Sequence, residues 1–219
     1  MAQSPAPALV LVLAACLLGC GPLGEAPAPG PESAAVSGLA PDSPQGPPGL
    51  PAVGPVRATD SRASLVAAHG VGNVRDTALA LGEGRSRPGV TLFPGTDEAL
   101  TVLFEDPAGR RGVERVVLAD PPSPHTVAGL RLGMSLEEAQ AVNGGAFPVA
   151  GLGDDHGGES RGWGEAGRLP AAVTAVFRPR TRRAVPPAAR GAIELASDDE
   201  AWRGLGMWLV ELRVSLGGG

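Results

Sequence analysis

The chain has 219 residues, a formal charge of −5 and a pI near 5.2, and this acidic balance argues against a nucleic-acid-binding protein, which carries a basic footprint. Its 33 glycines and 23 prolines, with aromatic residues at only 3%, predict a core built mainly from Val, Leu and Ala. Both cysteines lie within the first 20 residues, so the rest of the chain offers no disulfide, thiolate nucleophile or thiolate metal site.

An uncharged apolar run covers residues 8–19, close to the N-terminus, and Cys20 follows it directly. The run is about a dozen residues long, whereas a helix needs roughly 20 to span a bilayer, so it predicts a secretory signal peptide over residues 1–19. The small residue before Cys20 makes this segment similar to a bacterial lipoprotein signal, whose cleavage leaves an acylated cysteine at the new N-terminus. Cys16, which follows two alanines, is the alternative lipidation site. We therefore expect an exported protein, anchored by lipid to a bacterial membrane and facing the periplasm or the cell exterior.

Residues 20–57 are rich in Pro, Gly and Ala and lack the periodicity of a helix or a strand. Such a composition buries too little apolar surface to offset chain entropy, and it predicts a disordered tether. A single globular domain is then expected over residues 58–216.

The first half of this domain shows a helix followed by strands. Asp60 and Ser61 predict a helix start, with a helical stretch over residues 63–69 and a stop at Gly70. Strands are predicted over residues 90–93, 100–105 and 113–118, and Asp-Pro pairs follow the last two.

The second half repeats this order. Ser135 and Glu138 form a capping-box pattern, and the helix they begin runs to about residue 142, before the Asn143-Gly144 terminator. Strands are predicted over residues 173–178 and 192–195. A second capping box, from Ser197 to Glu200, predicts a short helix that runs through Trp202.

The chain closes with a strand predicted over residues 208–216. Alternation along it places Leu209, Glu211, Arg213 and Ser215 on one face. The other face receives Trp208, Val210, Leu212, Val214 and Leu216.

The two halves match in element order and in spacing. Ser61 to Gly70 has the same length as Ser135 to Gly144, residues 101–104 precede residues 174–177 by 73 positions, and Val113 aligns with Val210. This predicts a tandem duplication with repeats over residues 60–120 and 129–216; chance similarity among strands rich in Val and Leu is the alternative. The predicted fold class is α+β, with short helices packed on an antiparallel sheet.

Three segments resemble an uncharacterised family of bacterial exported proteins and lipoproteins. They are a Gly-x-x-x-Gly-x-Ser-Leu pattern at residues 129–136, an Asn-Gly-x-x-Phe pattern at residues 143–147 and a glycine loop at residues 151–158. Upstream, residues 84–94 and the strand that ends at residues 104–106 resemble the same family, so the resemblance covers most of residues 60–216; it implies no established activity. In the family this loop is richer in aromatic residues, where this chain has Asp154 and His156. The duplicated unit is also similar in style to the beta-lactamase-inhibitor-like fold, whose members bind proteins and catalyse nothing.

The glycine loop holds the candidate functional residues Asp154, Asp155 and His156. Two carboxylates and an imidazole suit a hard-metal site or acid–base catalysis, and the acidic residues 198–200 are candidates for further ligands. The surrounding glycines favour a turn with side-chain-to-backbone hydrogen bonds instead, so the sequence indicates no metal and no cofactor. Together with Trp163, which is a candidate for an exposed aromatic patch, these residues form a possible binding loop.

Four arginines form the one basic cluster of the sequence, at Arg178, Arg180, Arg182 and Arg183. Arginines that alternate along an extended segment project from one face, where they could contact anionic lipid headgroups or the acidic patch of a partner. A solvated strand end is the alternative.

The sequence therefore predicts a non-catalytic binding or structural module of the cell envelope, attached to the membrane by its N-terminal lipid. Its partner is an unidentified envelope protein or ligand. One alternative is a metal-dependent or hydrolytic enzyme centred on Asp154, Asp155 and His156. Another is a periplasmic protein inhibitor that uses the open face of the sheet.

Overall fold

The fold is that of a computed structural model, which describes residues 50–82, 84–119, 123–181 and 184–217. The predicted signal peptide, both cysteines, most of the predicted tether, Arg182 and Arg183 lie outside these ranges. None of the helices within them is long and apolar enough to cross a membrane.

Two short helices and a largely antiparallel set of strands give the α+β fold that the sequence predicts. The helices are α1 (Arg62–His69) and α2 (Leu136–Asn143). The strands are β1 (Ala52–Val53), β2 (Val56–Arg57), β3 (Val74–Gly82), β4 (Arg85–Leu92), β5 (Leu100–Asp106), β6 (Arg111–Ala119), β7 (Thr126–Val127), β8 (Leu130–Arg131), β9 (Pro148–Ala150), β10 (Val173–Pro179), β11 (Glu194–Ala196) and β12 (Met207–Ser215). Single 3₁₀ turns lie at Val71–Asn73, Pro187–Ala189 and Glu200–Trp202.

Both helices begin and end where the sequence predicts. The Ser135 hydroxyl accepts a hydrogen bond from the Glu138 amide at 3.1 Å, and the Glu138 carboxylate accepts one from the Ser135 amide at 2.7 Å. These two bonds form the predicted capping box, which satisfies two amides at the helix start. The helix ends at Gly144, whose φ of +86° and ψ of 9° are the left-handed geometry that glycine adopts at low cost.

Six strands form the main sheet in the order β10-β12-β6-β5-β4-β3, and every neighbouring pair is antiparallel. The helices pack on one face through Leu65 of α1 and through Leu136 and Ala139 of α2, which join the strand residues in one core. That core is mostly aliphatic, as predicted, around three fully buried rings at Phe104, Phe147 and Phe177.

The similarity between the two halves extends further towards the N-terminus than the sequence indicates. Hairpin β1–β2 precedes α1 as hairpin β7–β8 precedes α2, and Ala52 lies 74 positions before Thr126, as Ser61 lies before Ser135. Val53 and Val56 are 4% and 0% exposed. The expected tether boundary at residue 57 is therefore wrong, because these two side chains are buried in the core.

Each half of the domain contains a β-bulge at the same place, near the beginning of its final strand. The extra residues are Glu114 in β6 and Val210 in β12. Val113 thus corresponds to Leu209, and its predicted alignment with Val210 is one residue out of register. With this correction, an approximate two-fold axis relates β6 to β12. The two strands pair with each other, and the axis passes through the Val117–Arg213 pair.

The bulge at Val210 also changes which side chains of the closing strand face the core. Leu209 is fully buried with Leu212, although strict alternation assigns them to opposite faces. An extra residue between them reverses the alternation. Glu211 and Arg213 consequently lie on the face of the sheet away from the helices.

Other local expectations differ from the structure. Ser197 caps no helix; its hydroxyl accepts from the Phe147 amide at 3.0 Å and from the Gln140 side chain at 2.9 Å, while Asp199 caps the 3₁₀ turn. The strand expected over residues 192–195 lies at Glu194–Ala196, and the strand expected over residues 90–93 is the end of β4. The sequence does not predict β3, because its polar and small residues lack a clear alternation.

Asp76 on β3 links the edge strand to α1 and to the β5–β6 turn. The Arg62 Nε donates to its carboxylate at 2.8 Å, and Arg110 forms a second ion pair with it. The hydrogen bond from Arg62 is the main cause that lowers the pKa of Asp76 below its ordinary 3.8, and the charges of Arg110 and Arg62 add to it. Because the folded-state pKa is lowered, the ionised carboxylate stabilises the fold above its unfolded-state pKa, and this contribution is lost as the pH falls through the folded-state value.

We expect Asp76→Asn to lower the free energy of unfolding at pH 7 by at most about 1 kcal/mol, since the carboxylate is half exposed and solvent screens it. The deficit should shrink as the pH falls below the ordinary Asp value of 3.8 and through the lowered folded-state pKa, since the wild-type carboxylate is then protonated as well. Urea denaturation of both chains across this range measures it. Asp198→Asn, at an exposed position, is the control, and a deficit of equal size at every pH would contradict the ion-pair assignment.

Candidate functional site

The far half of the β3–β4 hairpin leaves the plane of the sheet. β4 pairs with β5 only over residues 89–92, whereas the hairpin continues to the Gly82–Arg85 pair. Arg87, in the far half, donates to the Phe104 carbonyl at 2.7 Å and forms an ion pair with Glu114. The hairpin therefore leans over β5 and β6 on the face away from the helices.

Gly89 lies where the hairpin bends. A Cβ at this position would come within 2.5 Å of the Val102 carbonyl oxygen and within 2.9 Å of a Leu103 methyl. Glycine permits this close approach of two strands, since any larger residue would push the hairpin away. The bend brings residues of the sheet's edge strand towards its centre.

The leaning hairpin and the glycine loop enclose a cleft of about 330 Å³ over the open face of the sheet. We call it the open-face cleft. Its lining residues are Leu79, Ala80, Arg115, Asp155, His156, Glu211 and Arg213. Leu79 and Ala80 come from the β3–β4 hairpin, and Arg115 comes from β6. The other four come from the glycine loop (Asp155 and His156) and from β12 (Glu211 and Arg213).

Ion pairs hold the floor of the open-face cleft. Arg213 pairs with Glu211 on the same strand and donates to Glu159 at 2.7 Å. Glu159 is only 12% exposed and also lies 3.8 Å from the Arg161 guanidinium and 3.0 Å from the His156 imidazole. A nearly buried carboxylate with three basic neighbours keeps those side chains in place, because leaving it unpaired would be costly.

The three residues predicted for the loop have separate roles. The Asp154 carboxylate accepts a hydrogen bond from the His156 amide at 3.0 Å, which is the side-chain-to-backbone turn that the glycines favour. His156 bonds Glu159 through Nδ1, and its ring is 60% exposed. Asp155 and His156 face the cleft, whereas Asp154 is not among its lining residues.

Trp163 does not form an exposed aromatic patch. It is 6% exposed, its indole N–H donates to the carbonyls of Pro170 and Val173, and its ring meets Phe147 edge to face at a centroid distance of 4.9 Å. The expectation of an exposed aromatic patch at Trp163 is therefore wrong. In a core with so few aromatic residues, its large ring contributes more by burial than at the surface.

The two described arginines of the basic cluster both contact the fold. Arg178 donates to the Gly157 carbonyl, and Arg180 donates to the Gly133 carbonyl at 3.1 Å while its guanidinium lies 4.7 Å from the Trp208 ring centroid. Each guanidinium thus uses at least one of its N–H donors for a hydrogen bond within the protein. Arg182 and Arg183 lie outside the described residues.

Sequence reasoning missed most of the cleft. Arg115, Glu159, Glu211 and Arg213 were not candidates, although Glu159 lies three residues after His156 and the last two alternate along the closing strand. Charged residues in a strand that is otherwise apolar were the available signal. Within the described part of the chain, no three His, Cys, Asp or Glu side chains lie close enough together to hold a metal ion.

Comparisons with family models, with curated proteins and with solved structures found no match to this chain.

Proposed function

We propose that this chain is an exported, lipid-anchored protein of the bacterial cell envelope whose folded domain is a non-catalytic binding module. The open-face cleft carries the binding part of the proposal. It combines an apolar wall with charged groups, and ion pairs hold its floor before any ligand arrives. Ligand sites in proteins are typically concave, largely preformed and supplied with a few placed polar groups.

Hydrolysis is the second candidate, because Glu159 orients His156 through Nδ1 and leaves Nε2 on the other side of the ring. Such a pair is the orienting half of a general-base arrangement. The lining of the cleft, however, includes no Ser, Thr or Cys, and the Asp154 carboxylate already bonds within its own turn. These observations favour binding over catalysis.

The membrane anchor is tested by labelling cells that express the full chain with radioactive palmitate. Cys20→Ser should abolish the label and release the protein from the membrane fraction, because it removes the only thiol at the preferred site. Cys16→Ser is the matched control and should keep both label and location. Loss of label in Cys16→Ser alone would move the lipid to Cys16, and an unlabelled wild-type chain would overturn the anchor.

The binding function is tested in intact envelopes by photo-cross-linking. A photoreactive residue at Ala80, in the lining of the cleft, should form an adduct whose added mass identifies the occupant. Val71 is the control position, since it is 74% exposed and lies before the opposite end of β3. Adducts at neither position, or equal yields at both, would contradict a binding role for the cleft.

A further inference from the structure

The charged side chains that line the open-face cleft differ in how closely they are paired. Arg213 and Glu211 form an ion pair, and Arg213 is also bonded to Glu159. Arg115 lies 3.9 Å from its nearest carboxylate oxygen, on Glu114, which is itself engaged by Arg87.

Asp155 has no ion pair or hydrogen bond with any other residue in the described ranges. The lining therefore retains one cationic group, on Arg115, and one anionic group, on Asp155, whose bonding capacity the protein leaves largely unused. Both line a single cavity of about 330 Å³.

The chemistry of these two groups specifies a ligand with both charges. A guanidinium binds a carboxylate through two parallel hydrogen bonds, and a carboxylate accepts well from an ammonium group. A phosphate or sulfate would meet Arg115 but would be repelled by Asp155 and Glu211. A purely cationic ligand would be attracted to Asp155 but repelled by Arg115 and Arg213.

Size and polarity narrow the ligand class further. A cavity near 300 Å³ is at the lower limit of ligand sites, which favours a molecule of one or two residues over an extended peptide. Leu79 and Ala80 supply an apolar wall beside the charged floor, which suits a short aliphatic side chain. Stacking on an aromatic ring plays no part, since none of the lining residues is Phe, Tyr or Trp.

We infer that the open-face cleft binds a zwitterion of the amino-acid type, a free amino acid or dipeptide with small aliphatic side chains. Arg115 takes its carboxylate and Asp155 takes its ammonium group. The Glu159–Arg213–Glu211 chain of ion pairs holds the floor between them. This inference rests on the proposed binding function and names the ligand class for that same cleft.

Calorimetric titration of the full chain in detergent with alanyl-alanine tests the inference. Acetylating the peptide's amine, or amidating its carboxylate, should weaken binding about tenfold or more, since each change removes one charge-assisted contact. Arg115→Gln should weaken alanyl-alanine binding by a similar factor and leave little further loss on amidation. Asp155→Asn should do the same for acetylation.

Controls keep the test independent of folding. Arg75→Gln and Asp198→Asn remove exposed charges outside the cleft lining and should leave binding unchanged. Thermal unfolding of every variant should stay close to wild type, because both cleft residues are partly or fully exposed. Blocked peptides that bind as well as the free one, or cleft variants that bind normally, would overturn the assignment.

Absence of binding at millimolar peptide would also overturn it, and the cross-linking experiment separates the two claims. An adduct at Ala80 without peptide binding would reject the zwitterion and retain the binding module. No adduct at Ala80 and no peptide binding would reject both.

Discussion

Gly158→Ala should lower the free energy of unfolding by about 2 to 5 kcal/mol. The backbone at Gly158 has a φ of +73°, and a Cβ there would lie 2.1 Å from the Phe177 carbonyl oxygen. Left-handed geometry costs an L-residue roughly 1–2 kcal/mol, and overpacking adds about 1–3 kcal/mol. The obstacle is backbone, so no side-chain rotation relieves it.

The position matters because residues 158–160 cover the outer edge of β10. Gly158 donates to the Ala150 carbonyl at 2.9 Å and accepts from the Phe177 amide at 2.8 Å, so displacing it breaks the contact between this segment and the sheet. The next residue is Glu159, the carboxylate behind the cleft. We therefore expect loss of peptide binding along with loss of stability.

Urea denaturation of the full chain measures the effect, with Gly95→Ala as the matched control. Gly95 has a similar φ of +81° but open space where a Cβ would lie. The control should lose only the conformational part, about 1–2 kcal/mol. Equal losses in the two variants would show that the clash with Phe177 contributes nothing.

Asn143→Ala should lower the free energy of unfolding by about 3 kcal/mol. The Asn143 side chain is fully buried; its amide donates to the Trp163 carbonyl at 2.9 Å and to the Gly145 carbonyl at 3.0 Å, and its oxygen accepts from the Leu169 amide at 3.4 Å. Alanine would leave these backbone groups without partners, at a cost of roughly 1–3 kcal/mol for each one that stays buried.

Asn73→Ala is the control, since Asn73 lies in the 3₁₀ turn after α1, is exposed and makes one side-chain hydrogen bond, to the His69 carbonyl. That variant should lose under about 0.5 kcal/mol. Trp163 fluorescence adds a second measurement, because loosening its loop should shift its emission towards that of a solvated indole. A loss in Asn143→Ala no larger than in the control would contradict the proposed role of the buried amide.

The candidate site was predictable only in part. Asp155 and His156 stand out because polar residues among glycines mark a functional loop or a turn, and the structure places both at the cleft. Arg115 could not be assigned, since its place depends on the Glu114 bulge and on a hairpin that bends at Gly89. Trp163 was expected at the surface because the sequence around a tryptophan flanked by glycines does not show whether its ring points outward or into the core.

The sequence by itself determined the fold class, the two capped helices and the matching element order of the two halves. These features follow from interactions among residues a few positions apart: a serine and an amide three residues on, a glycine in left-handed geometry, a run of β-branched residues. Such signals are complete within a short stretch of chain, so they can be identified before any tertiary contact is known.

Only the tertiary structure decided the cleft, the face of Leu209 and the burial of Val53 and Val56. Each depends on register between strands that are far apart in the chain, and one extra residue reverses every side chain beyond it. The pairing of Glu159 with Arg213 spans 54 positions and exists only because residues 158–160 are packed against β10, which pairs with β12. Local chemistry therefore specified the elements of this protein, and long-range packing assembled them into a site.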